Sequence, residues 1–321
     1  MNSVLELAFA NLTSPMILFF VLGLAAAFLK SDLNIPEAIA KGMALYLMMA
    51  IGFKGGAGVA EHGLDATLFL ALATGALLSA LLPLIAFRFL ISTTGLSRVD
   101  AAAVAAHYGS ISIVTFLAAV QVLNSAGIAY EGYMVAVAAA METPAIVVAL
   151  WMAKGRASSF NSATMREIAF NGSIVILIGS FIIGGVTGKE GLQSISAFIV
   201  DPFKGVLCLF LLDMGLIAGR GLLEGRRHFT PAVIGFGIYM PLVGASLGLA
   251  AAMLIGLSPG GTALLATLCA SASYIAVPAA MRLALPEAKP SLYIPLSLGV
   301  TFPFNLSIGI PLYLSLATAV P

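Results

Sequence analysis

Apolar residues run along this chain in long unbroken stretches rather than in alternation with polar ones. Glycines, prolines and charged residues mark off ten such stretches. They are about Ser14–Leu29, Pro36–Phe53, Ala66–Leu90, Ala101–Leu123 and Tyr130–Ala153, followed by Glu167–Gly188, Pro202–Gly219, Pro231–Gly256, Gly261–Leu285 and Ser291–Ala319. About 20 apolar residues at roughly 1.5 Å each match a hydrocarbon layer of about 30 Å. A lipid-facing backbone has to bond internally, as a helix or a closed barrel, and a barrel strand would alternate with period two. The pattern therefore predicts an all-α integral membrane protein of ten transmembrane helices. Several stretches open on a proline in the first turn, at Ser14-Pro15, Ile35-Pro36, Asp201-Pro202 and Thr230-Pro231, and Asp201 is expected to cap the seventh.

Composition agrees. Hydrophobic residues make up 60% of the 321 and charged residues 9%, too few to cover a water-facing surface. The net charge of +1 leaves no basis for a nucleic-acid partner. Of the 15 Lys and Arg, only Lys54, Lys189 and Lys204 fall outside the membrane when the N-terminus is placed outside. Cationic residues collect on the cytoplasmic side, so both termini are expected to be extracytoplasmic. No Lys or Arg precedes Lys30, so the first stretch reads as a retained helix, not a signal peptide. Cys208 and Cys269 both lie in apolar stretches and read as buried residues, with nothing to support their pairing.

The chain repeats itself. Lys41-Gly42, Gly52 and Gly56 recur as Lys204-Gly205, Gly215 and Gly219, at an offset of 163. Ser110-x-Ser112 with Ala118-Ala119 recurs as Ser271-x-Ser273 with Ala279-Ala280, at 161, and Pro144 recurs as Pro303, at 159. Two halves of five helices each, residues 1–165 and 166–321, must be inverted relative to each other because five is odd. Inverted repeats around a midplane site are a transporter signature.

The fourth and ninth stretches carry the candidate chemistry. Tyr108-Gly109-Ser110-Ile111-Ser112 and Cys269-Ala270-Ser271-Ala272-Ser273-Tyr274 put helix-weakening residues at mid-depth, and Pro278 removes a further donor. If both helices break there, two half-helix N-termini meet at the membrane centre, each with about half a positive charge and free N–H groups. That arrangement suits a small monovalent anion. Small residues also allow close helix packing, but packing alone does not explain the duplicated Ser-x-Ser.

Acidic residues at membrane depth are costly and usually functional. Glu142 precedes Thr143 and Pro144, a set of carboxylate, hydroxyl and freed carbonyls that suits sodium. Thr301, Pro303 and Asn305 offer an uncharged counterpart in the other half. Asp213 is the second deep carboxylate, and it reads either as a sodium ligand or as a residue facing a polar seam. No Lys or Arg sits mid-span, so a sodium ion beside Glu142 would remove the charge that otherwise repels an anion. His62, His107 and His228 form no metal cluster. No Gly-x-Ser-x-Gly, His-Glu-x-x-His or phosphate loop occurs, which argues against a membrane hydrolase or a nucleotide-driven pump and for a non-enzymatic protein without cofactors.

At these segments the sequence resembles the sodium-dependent bicarbonate transporter (SbtA-like) family. The resemblance runs through Ile35-Pro36-Glu37-Ala38-Ile39, Ile51-Gly52-Phe53-Lys54-Gly55-Gly56, Ile128-Ala129-Tyr130-Glu131 and Glu142-Thr143-Pro144-Ala145. It continues through Pro278-Ala279-Ala280-Met281-Arg282, Pro286-Glu287-Ala288-Lys289-Pro290-Ser291-Leu292-Tyr293 and Gly309-Ile310-Pro311-Leu312. It implies interleaved core and gate subdomains, a homotrimer in the plasma (inner) membrane, and sodium–bicarbonate symport. It places the anion at the broken fourth and ninth helices, onto which Ser110, Ser112, Thr115, Ser271 and Ser273 map. The chain departs from the family pattern in three places. Tyr274 and Glu142 stand where that pattern has Asp, and the cytoplasmic insertion is reduced to about Gly155–Met165, so a PII-like regulator is not expected. The competing readings are a cation/proton exchanger using Glu142 and Asp213, and, ranked last for want of a soluble domain, a membrane sensor or assembly module.

Overall fold

The computed structural model describes residues 12–62, 66–154, 172–274, 277–278, 281 and 285–319. Every regular element among them is helical. Chain order gives α1 (Pro15–Phe28), α2 (Glu37–His62), α3 (Ala66–Thr93), α4 (Arg98–Gly109), α5 (Ile113–Ala126), α6 (Met134–Ala140) and α7 (Glu142–Lys154). Then follow α8 (Gly172–Ser194), α9 (Ser196–Ile199), α10 (Phe203–Gly225), α11 (Pro231–Leu254), α12 (Pro259–Ala270) and α13 (Pro290–Ala319). Among the described residues, eight segments are long and apolar enough to cross a membrane, while α1 and α12 are shorter apolar helices. The stretch Gly155–Met165 and Arg282 lie outside the described residues.

The prolyl starts hold at two of the expected places. Ser14 and Thr230 cap α1 and α11 by accepting from Ile17 N and Val233 N, each with Pro in the first turn. Asp201 does not cap α10. Pro202 is itself the cap residue in helical geometry, with no side-chain cap bond. The Asp201 N–H turns back to the carbonyl of Ser196, the first residue of α9. The second helix runs on to His62, past the expected stop near Phe53. Its glycines are packing positions, not breakers.

A Cβ on Gly52 or Gly56 would collide with the Leu177 or Phe181 carbonyl of α8. A Cβ on Gly215 would strike the Phe20 carbonyl of α1, and one on Gly219 the Ala27 side chain. The two glycine pairs related by the offset of 163 thus do the same work, letting a neighbouring helix approach the backbone.

The repeat also appears in the broken helices. Both α4 and α12 are 12 residues long. Ser97 caps α4 by accepting from Asp100 N, and Ser258, 161 positions later, caps α12 by accepting from Gly261 N. A carboxylate secures each start, buried Asp100 for α4 and half-buried Glu131 for α12. Asp100 accepts from Ser97 Oγ at 2.8 Å and Lys289 N at 3.1 Å, and Glu131 accepts from Ser258 N at 2.7 Å and Ser258 Oγ at 3.0 Å.

The segment Arg98–Ala126 is the centre of the molecule, with its most apolar window 100% buried, whereas that of Val175–Ser194 is only 17% buried. Irregular backbone in α4–α5 is therefore enclosed by protein, the condition under which it is tolerated at membrane depth.

Candidate functional site

α4 stops at Gly109, whose missing Cβ makes room for the Pro83 ring of α3 and for Ala145. Ser110 is extended (φ −84°, ψ 154°), and so is Ser112 (φ −103°, ψ 108°), whose hydroxyl caps α5. It accepts from Thr115 N at 3.2 Å and from Thr115 Oγ1 at 2.9 Å. The N–H groups of Ile113 and Val114 then have no acceptor within the helix. α12 breaks in the same way, with Ser271 extended (φ −80°, ψ 161°) and no helix through Tyr274. Val277, Pro278 and Met281 are helical again.

The two breaks cross in direct contact. Ser112 N donates to Ser271 Oγ at 2.9 Å, and Ser273 N donates to the His107 carbonyl at 2.7 Å. The His107 ring closes the clasp, its Nδ1 2.5 Å from the Ser273 carbonyl. A carbonyl can only accept, so Nδ1 carries the proton, and in the neutral ring Nε2 is a bare acceptor. The His107 ring also lies against Tyr293 at 4.7 Å. Nothing in the sequence around His107 signals that it joins the two breaks.

Gly109, Ser110, Ser112, Thr115, Ser271, Ser273 and Tyr274 are all buried. The structure gathers them around this crossing. Ser110 Oγ and His107 Nε2 have no hydrogen-bond partner among the described residues. The Tyr274 hydroxyl faces Ser112 without reaching hydrogen-bond geometry. A buried polar atom left unpaired costs roughly 1–3 kcal/mol. Each such atom calls for an explanation, such as a bound water, an ion or a catalytic role.

Glu142 opens α7, buried, directly after a helix interruption at Met141. Pro144 has no N–H to continue the ladder. The Ser79 hydroxyl of α3 occupies the gap, donating to the Met141 carbonyl and accepting from Ala145 N at 3.2 Å. Ser79 was invisible as a site residue, being one serine in an apolar stretch. Thr143 is helical, but its side chain lies outside the described residues.

Thr301 and Asn305 fall on two π-helical turns inside α13. Thr301 Oγ1 donates to the Gly237 carbonyl at 2.7 Å, so the Tyr108 hydroxyl, 2.6 Å away, donates to it. Asn305 donates to the Ala270 carbonyl at 2.8 Å, where α12 ends, and accepts from Tyr313 at 2.9 Å. Both residues are tied to the broken helices, Thr301 through Tyr108 and Asn305 through Ala270. Asp213 lies on α10, which packs on α1, α2 and the first part of α13, including the turn that holds Thr301, whereas α7 with Glu142 packs on α3 and α4. The Oδ2 of Asp213 is buried without a partner among the described residues.

The sequence from residue 15 to 318 matches a family model described as the Na+-dependent bicarbonate transporter superfamily. No curated protein matches the chain.

Proposed function

We propose that this chain, which belongs to the Na+-dependent bicarbonate transporter superfamily, is a sodium-coupled symporter that binds bicarbonate or a similar small monovalent anion where the two broken helices cross. Membership makes it a multi-pass membrane transporter dependent on Na+ as coupling ion, and not an enzyme. The observation that carries the finer reading is the crossing itself. It is an enclosed point with the first N–H groups of α5, serine hydroxyls and, among the described residues, no fixed cation, so converging N–H and O–H donors replace the anion's water.

Sodium in this reading sits beside Glu142, with Thr143 on its side and Thr301 and Asn305 as the counterpart across the crossing. The interrupted helices at Met141 and in α13 support this, because both leave carbonyl groups free of regular helix bonding. Ten spans in two inverted halves, 1–165 and 166–321, are part of the same reading, supported by the repeated caps, breaks and glycines. A core built on the broken helices and a gate beside it, assembled as a homotrimer, complete the reading.

The test is uptake of labelled bicarbonate into proteoliposomes under an inward sodium gradient. Accumulation that disappears when potassium replaces sodium is expected. Sodium-driven proton movement without bicarbonate uptake would favour the exchanger reading instead, to which the unpaired Asp213 oxygen lends some support.

Orientation is part of the proposal. The Arg220 guanidinium donates to the Leu33 carbonyl at 2.6 Å, Arg98 donates to the Met152 carbonyl at 3.1 Å, and Lys289 pairs with Asp100 at 3.8 Å. The positive-inside distribution puts this end in the cytoplasm and both termini outside, in the plasma (inner) membrane. A reporter fused after Pro321 should read extracytoplasmic and one inserted between Gly155 and Met165 cytoplasmic. A cytoplasmic C-terminus would overturn the orientation.

A further inference from the structure

At the end of the molecule opposite Arg98 and Arg220 lies a cavity of about 340 Å³ between α2, α5, α6 and α10. Lys54 and Lys204 both line it, on different helices. Lys54 is held against the Phe203 ring, its Nζ 4.6 Å from the centroid, and the two ammonium charges repel one another. No carboxylate pairs with either lysine among the described residues, where the ion pairs are Lys41–Glu37, Lys189–Glu61 and Lys289–Asp100. Two like charges facing one cavity are unfavourable alone, and an anion between them reverses the sign. The other wall carries Gln121, Asn124 and Tyr130, donors suited to a planar oxyanion.

We infer that this cavity is a second anion site, where Lys54 and Lys204 capture a small oxyanion at the outer mouth before it reaches the crossing. At about 30 Å³ per water molecule in the liquid, the space takes the anion with part of its hydration shell. The site gathers the anion and the crossing dehydrates it. α5 is the track between them: Leu117 lines the cavity and lies five residues, or roughly 7.5 Å, beyond Ser112. The same charges repel sodium, so the cation reaches Glu142 by another path.

This inference rests on the crossing being the transport site, and two measurements separate the claims. In the first, Lys54→Gln, Lys204→Gln and the double variant are assayed for bicarbonate uptake. The half-saturating bicarbonate concentration should rise roughly three- to tenfold per lysine, with the maximal rate kept and the half-saturating sodium concentration not raised. Arg at either position should restore the wild-type value, which a loss of packing would not allow. In the second, purified protein is labelled with an amine-reactive ester and read by mass spectrometry. Bicarbonate should protect Lys54 and Lys204 relative to Lys41 and Lys289. Protection without any uptake in the wild type would sink the transport reading and keep this site. Equal labelling with and without bicarbonate, or a double variant with an unchanged bicarbonate dependence, overturns the site.

Discussion

Leucine at Ser112 or Ser273 is expected to eliminate anion uptake, and alanine at either position to weaken it about ten- to a hundredfold. Each hydroxyl is proposed as a donor to the anion, and a hydrogen bond to a charged group contributes roughly 1.5–3 kcal/mol. Leucine adds bulk as well, filling the space between the breaks. The two positions differ usefully in what else they do. Ser112 Oγ caps α5 through Thr115, so Ser112→Ala also costs about 1 kcal/mol of helix stability. Ser273 holds the crossing through its main-chain N–H and carbonyl, both bonded to His107, and Ser273→Ala leaves those bonds in place. Uptake should therefore fall in both alanine variants while the melting temperature drops only for Ser112. Leucine variants that transport at the wild-type rate would move the site away from the crossing.

Glu142→Gln is expected to flatten the sodium dependence of uptake and leave the protein folded. A carboxylate buried at membrane depth is expensive unless its charge is met, and in the proposed mechanism a bound sodium ion meets it. Glutamine keeps the shape and the acceptor oxygen but has no charge for the cation to neutralise. The helix interruption beside it should survive, because the Ser79 hydroxyl holds it through the Met141 carbonyl and Ala145 N. The measurement is the initial rate of bicarbonate uptake over a range of sodium concentrations. A glutamine variant with the wild-type sodium activation curve would remove Glu142 from the coupling.

Much of this protein could be read locally. Ser14 and Thr230 announced their helices because a hydroxyl before a proline meets the free N–H groups of a first turn. The breaks at Ser110 and Ser271 were legible because Gly and Ser in apolar surroundings weaken a helix at that point. Errors arose where one residue type serves two purposes. The second stretch is expected to stop at about Phe53, before Gly55 and Gly56, yet α2 continues to His62. What decides is the α8 backbone pressed against Gly52 and Gly56, which makes a missing Cβ an asset in the middle of a helix. Asp201 carried the right side chain for a cap, but Pro202 took the cap position in helical geometry.

The sequence by itself determined the membrane setting, the helices, the prolyl starts at Ser14 and Thr230 and the two breaks. Each of these depends on hydrophobicity or on bonds spanning a few residues, so spacing alone encodes it. Only the tertiary structure decided who meets the freed backbone. His107 finds Ser273, Ser112 finds Ser271, Ser79 enters the gap at Met141, and Lys54 comes to face Lys204. These partners lie tens to more than a hundred residues apart, and no local periodicity records such a pairing. It is set by which helices pack together, and that depends on the shape of the whole enclosed core.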